Sequence, residues 1–143
     1  MWYPLSVSEV IIYTDGGARG NPGPAGAGVV LQEHGKTVSE IGTYLGDNLT
    51  NNWAEYQALI IAITEAKRLG FEEMRIEFRM DSELIVKQMQ GLYKVKDASM
   101  KQQHAKVREL LLEFQHISFR HIPRAENAEA DALVNQAIDE AGK

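Results

Sequence analysis

Glu9–Gly26 reads EVIIYTDGGARGNPGPAG. Its first half, Glu9 to Asp15, is β-branched and aromatic and stops at a glycine pair, which is how a strand reads. Its second half, Gly16 to Gly26, holds five glycines and two prolines in eleven residues and reads as loop. Ala27–Gln32 and Thr37–Tyr44 follow as two further strands, with Glu33, His34, Gly35 and Lys36 as the turn between them. The chain therefore opens as a three-stranded antiparallel meander.

Helices and crossover strands follow. Thr50–Leu69 carries an apolar side of Ala54, Ala58, Leu59, Ile61, Ala62, Ala66 and Leu69, with Gly70 as a C-terminal cap. Met74–Met80 alternates as a strand, with Met74, Ile76, Phe78 and Met80 on one side. Ser82–Gln90 and Ser99–Phe114 are helical, the latter with Val107, Leu110, Leu111 and Phe114 inward. Ile117–Ile122 is a fifth strand and Glu126–Ala141 a last helix. The order βββαβααβα predicts an α/β domain. Strands four and five arrive through helical crossovers and should lie parallel to a neighbour. The result is a mixed five-stranded sheet with helices packed on it.

The chain of 143 residues suits one domain. Residues 9–143 form it, and 1–8 read as a short N-terminal extension, not a signal peptide. No run approaches a membrane span. The absence of cysteine excludes disulfides, thiolate zinc sites and a cysteine nucleophile, and is compatible with a reducing cytoplasm. A net charge of −5 argues against a nucleic-acid partner. Two bound divalent cations would offset four of those five charges.

Four carboxylates stand out. Glu55 shares a helix face with Leu59, Ala62 and Ile63, and Asp131 shares one with Val134 and Ile138. A lone carboxylate is costly to bury unless it is paired or binds a metal. A partly wet acid at the edge of the stripe is the plainer reading of either. Asp15 closes the first strand and Asp81 the fourth, where ligand sites open in sheets with parallel neighbours. Each also has an ordinary reading, Asp15 in a turn and Asp81 or Ser82 as a helix N-cap. Together, four carboxylates without cysteine or clustered histidine make an oxygen-rich site suited to Mg²⁺ or Mn²⁺ rather than zinc.

Four segments in order now resemble the ribonuclease H type 1 family: Thr14–Pro24 (TDGGARGNPGP), Thr50–Glu55 (TNNWAE), Met80–Glu83 (MDSE) and Arg124–Asp131 (RAENAEAD). The resemblance covers about Glu9 to Ala141. It implies the ribonuclease H-like fold and a metal-binding set at Asp15, Glu55, Asp81 and Asp131. It further implies Mg²⁺-dependent hydrolysis of the RNA strand of RNA·DNA hybrids, with two ions in the active complex and Mn²⁺ able to substitute. The ends would be 3′-hydroxyl and 5′-phosphate. In the family, the carboxylate on the first helix is also placed to accept from the ribose 2′-hydroxyl.

Gly16, Gly17 and Arg19 belong to a glycine-rich loop expected to let backbone approach the RNA. Asn21 resembles a residue touching the minor groove, Asn51 and Asn52 a pair touching bases and sugars, and Thr50 a phosphate contact on the DNA strand. Helix capping is the alternative for the asparagine pair. His121 has the spacing of an assisting histidine found in many bacterial members, ten residues before Asp131, but falls inside strand five. The His121-Ile122-Pro123-Arg124 form instead resembles a subgroup in which an arginine serves, here Arg124, by phosphate contact, since arginine is no base near neutral pH. The family's basic helical protrusion has no room between Gln88 and Ser99. Lys94 and Lys96, beside Tyr93 and with Lys87 and Lys101, could form a DNA-backbone handle or a plain solvated surface. Glu83 stands where some members use a polar amide. A monomer with no inferable protein partner is expected. The competing readings are a metal nuclease of the same fold that also cuts double-stranded RNA, and a non-catalytic hybrid-binding module. Four intact acids argue against the second, because a binder gains nothing from their repulsion.

Overall fold

The computed structural model describes residues 8–143, so all but the last residue of the extension expected over 1–8 lies outside the described residues. The strands are β1 (Val10–Ala18), β2 (Gly23–Glu33), β3 (Lys36–Leu49), β4 (Arg75–Met80) and β5 (His116–His121). The helices are α1 (Asn51–Arg68), α2 (Glu83–Met89), α3 (Ala98–Leu111) and α4 (Ala128–Ala141), the last entered through a 3₁₀ turn over Arg124–Asn127. The sheet runs β3-β2-β1-β4-β5. β1–β2 and β2–β3 pair antiparallel, β1–β4 and β4–β5 parallel. This is the mixed five-stranded sheet that the element sequence predicts.

Alternation divides the sheet into two faces. Val10, Ile12, Val29, Leu31, Ile76 and Phe78 pack with Tyr56, Leu59, Ala62 and Ile63 of α1 in one buried core. α4 lies on the opposite face over β2 and β3, where glycines admit its backbone. A Cβ on Gly28 would stand 2.1 Å from the Ala130 carbonyl oxygen, and one on Gly42 3.0 Å from that of Leu133. Gly28→Ala should therefore lift α4 and destabilise the protein by about 1–3 kcal/mol, the usual cost of overpacking. A denaturant midpoint equal to wild type would count against this tight approach.

The first strand is longer than its composition suggests. It continues through Gly16, Gly17 and Ala18, which pair with Ala27, Gly26 and Ala25. The expected loop over 16–26 shrinks to Arg19–Pro22. Glycine weakens a strand by propensity, yet ladder hydrogen bonds and helix packing override that weakness here. Asp15 consequently lies inside β1 instead of closing it. Likewise β3 runs to Leu49 instead of Tyr44, over register shifts at Ala25. Helix α3 stops at Leu111, three residues short of Phe114, and α4 starts at Ala128, two residues after Glu126.

Candidate active site

β4 is the shorter partner of β1, and their pairing stops at Tyr13 opposite Arg79. Beyond that point two β1 amides take side chains of α1 as partners. Gly16 N–H donates to Glu55 Oε1 at 2.6 Å, and Ala18 N–H donates to Asn51 Oδ1 at 2.7 Å. Asn51 and Glu55 are one helical turn apart, so one face of α1 supplies both acceptors. The approach is close: a Cβ on Gly16 would sit 2.3 Å from the Ala54 carbonyl carbon. The close approach of α1 thus requires glycine at position 16. Thr50 caps α1 by accepting from Trp53 N–H, and Asn21 Oδ1 accepts from Asn51 N–H.

The end of β4 opens the site. Asp81 follows Met80 directly, and Ser82, not Asp81, caps α2. Carboxylate oxygens of Asp15, Glu55 and Asp81 lie within 4.8 Å of one another. Asp15 is 8% exposed and Glu55 6%. Asp131, in the first turn of α4, is half-buried and hydrogen-bonds to the Asp15 carboxyl. Asp15 is therefore shared, with Glu55 and Asp81 on one hand and Asp131 on the other.

This crowding is electrostatically unfavourable without cations. Burial, then the charges of Asp81 and Asp131, push the Asp15 carboxyl from 3.8 up to about 8. Burial, then Asp15 and Asp81, raise Glu55 well above its ordinary range, against the pull of the Gly16 amide. Arg124 draws both back down. An all-oxygen donor set whose members hold protons for want of positive charge fits a hard divalent cation.

The four acids line an open cleft of about 470 Å³ with Gly16, Gly17, Arg19, Asn51, Asn52, Ser82 and Arg124. Asn21 and Thr50 line an adjoining hollow that shares Asn52. Lys94 and Lys96 are exposed on the irregular segment between α2 and α3, outside that cleft. Lys87 stands 5.3 Å over the Tyr93 ring and 3.4 Å from Glu83. Arg19 lines the cleft, but its guanidinium is held by Asp139 at 2.6 Å and by Asn135.

A family model described as reverse transcriptase-like matches residues 13–137. A "Ribonuclease HI" of Halobacterium salinarum is 45% identical over 93% of this chain. A "Ribonuclease H" of Polynucleobacter asymbioticus is 31% identical over 96% of this chain and 95% of its own length. The crystal structure of LC11-RNase H1 in complex with an RNA/DNA hybrid superposes with a TM-score of 0.90, at 52% identity, covering 94% of this chain and 99% of that one. The chain belongs to the ribonuclease H family. It spans 66% of the Halobacterium relative and 37% of three mycobacterial relatives matched at 40% identity.

Within this ribonuclease H fold, the two candidates before α4 are placed differently. His121 ends β5 opposite Met80 and is exposed, whereas Arg124 opens the 3₁₀ turn and lines the carboxylate cleft. Sequence reasoning missed Asn127. It is 1% exposed and donates through Nδ2 to the Thr14 carbonyl at 3.0 Å. Its place before a helix reads as an N-cap, yet its side chain makes no cap hydrogen bond.

Proposed function

We propose that this protein is a divalent-metal-dependent endonuclease that hydrolyses the RNA strand of RNA·DNA hybrids, leaving 3′-hydroxyl and 5′-phosphate ends. The observation that carries the reading is the convergence of Asp15, Glu55 and Asp81, with Asp131 against Asp15, at a cleft flanked by Asn51, Asn52 and Arg124. Residues 9–143 constitute the catalytic domain, acting as a monomer in a reducing cytoplasm. Among the described residues no helix is long and apolar enough to cross a membrane.

Asp15, Glu55 and Asp81 would hold one Mg²⁺ and Asp15 with Asp131 a second, with Mn²⁺ able to replace either. The chemistry such a cation pair supplies when bound is activation of the attacking water and stabilisation of the leaving oxygen. The chain's own groups do the rest. Glu55 accepts from the ribose 2′-hydroxyl, the group that distinguishes RNA from DNA. Arg124, permanently charged, contacts the scissile strand's phosphate. Asn52, whose side chain makes no hydrogen bond among the described residues, offers its amide to base or sugar edges. Asn51 and Asn21 hold the β1–β2 turn against α1 and present the minor-groove surface beside Gly17 and Arg19. Thr50 contacts a DNA-strand phosphate at the positive end of α1. Lys94 and Lys96 reach the DNA backbone further out.

The test is cleavage of a 5′-labelled RNA as hybrid, single strand and RNA duplex, with Mg²⁺, Mn²⁺ or chelator. Metal-dependent internal cuts confined mainly to the hybrid are expected. Equal cutting of the RNA duplex would replace hybrid specificity with a broader one. No cutting with either metal would leave a hybrid-binding module.

A further inference from the structure

Asn127, which precedes α4, and Asp131, Asn135 and Asp139 within it recur every fourth residue, so each follows the last by about one helical turn. Each meets β1 or the turn that follows it. Asn127 Nδ2–H donates to the Thr14 carbonyl, Asp131 meets Asp15, and Asn135 and Asp139 accept from Arg19. Asn135 Nδ2–H also donates to the Asp131 carbonyl at 3.1 Å. Asp131 is thus bracketed one turn before and one turn after by contacts to the strand that carries Asp15.

The two brackets differ in strength. Arg19 and Asp139 are 45% and 60% exposed, and an exposed ion pair contributes little. Asn127 and Thr14 are wholly buried, and their bond joins residues 113 apart in sequence. Without Asn127 the Thr14 carbonyl would be left in a dry interior. The Asn127 Oδ1 has no partner, and an asparagine at a helix N-cap ordinarily uses that oxygen to cap. The side chain is committed to β1 instead. We propose that Asn127 is a positioning residue, which fixes α4 so that Asp131 stands against Asp15 and completes the cation-binding half of the site that those two residues form.

The proposal relies on the ribonuclease reading only for its activity readout. Its primary probe is Mn²⁺ alone, titrated calorimetrically against the substrate-free protein. Asn127→Ala should weaken Mn²⁺ binding about tenfold or more, the scale seen when a partner that orients a metal ligand is lost. In hybrid cleavage kcat should fall about 10–100-fold with KM within about threefold, and added Mn²⁺ should restore part of the rate. Arg19→Ala, at the exposed bracket, should weaken Mn²⁺ about threefold, and it decides the matter if Asn127→Ala does not fold. Val107→Ala, a core cavity under α3, should lower Tm and leave Mn²⁺ affinity unchanged. Wild-type Mn²⁺ affinity in Asn127→Ala, or in Arg19→Ala where Asn127→Ala does not fold, or an equal loss in Val107→Ala, would overturn the proposal. A wild-type protein that binds Mn²⁺ but cuts no hybrid would sink the ribonuclease reading and leave this one standing on the titration.

Discussion

Replacing Asp15 by Asn is expected to abolish hybrid cleavage and at the same time to stabilise the metal-free protein. The first effect follows from Asp15's place between two carboxylate groupings, Glu55 with Asp81 and Asp131. Losing a shared ligand should remove several kcal/mol of charge stabilisation, so kcat should drop by about 10³-fold or more. The second effect has the opposite sign because a folded protein without cations must keep this carboxyl protonated. Its value is 3.8 ordinarily and about 8 here. Between those two values the folded state holds a proton that the unfolded state has lost. The group's contribution is therefore fully present below pH 3.8 and is lost as pH rises through about 8. Asparagine carries no such dependence. Near pH 8 the variant should melt about 3–8 °C higher than wild type in chelator, on the order of 1–2 kcal/mol, and the gap should close toward pH 4. Saturating Mg²⁺ should raise the Tm of wild type and not of the variant. A variant that melts lower than wild type at pH 8 in chelator would mean that Asp15 is not repelled in the folded state.

This opposition explains which parts of the site the sequence discloses. Glu55 on a stripe with Leu59 and Ala62 conflicts with burial, and that conflict is visible without coordinates. Asp131 beside Val134 is visible for the same reason. The alternation of Ile76, Phe78 and Met80 likewise places β4 with its acid-bearing end. What escapes the sequence depends on partners distant along the chain. Gly16 reads as loop, because nothing local shows that the α1 backbone will lie against it. Its continuation into strand rests on Ala27, and the packing of Gly28 rests on Ala130. Asn127 falls unremarked inside the helix expected from Glu126, since its partner is the distant Thr14 carbonyl. The N-terminal acids of a helix are legible by period, but the contact that orients them is not. Arg19 is likewise held by partners far along the chain, Asp139 and Asn135, which nothing in its glycine-rich turn announces.

Cation affinity itself should be steeply pH-dependent. A carboxylate must be ionised to bind a metal, so binding releases any proton the free site holds. At neutral pH Asp15 holds one, with a value of about 8, and Glu55 is raised in the same direction by burial and by Asp15 and Asp81. Each proton displaced changes the apparent affinity about tenfold per pH unit below the group's pKa. From pH 6 to pH 8 the Mg²⁺ or Mn²⁺ concentration for half-maximal cleavage should therefore fall about 50-fold for one proton, and further if Glu55 also holds one. Calorimetric titrations in buffers of different ionisation enthalpy count the protons directly, and at least one should be released per protein at pH 7. Arg124 supplies an internal check, because its charge pulls both acids down. Arg124→Ala should leave them still harder to ionise and move the whole cleavage profile to higher pH, beyond any loss of phosphate affinity. Affinity that stays flat from pH 6 to pH 8, with no proton released, would mean that the carboxylates are already ionised in the free protein, and the repulsion inferred from their crowding would then have to be relieved by something other than protonation.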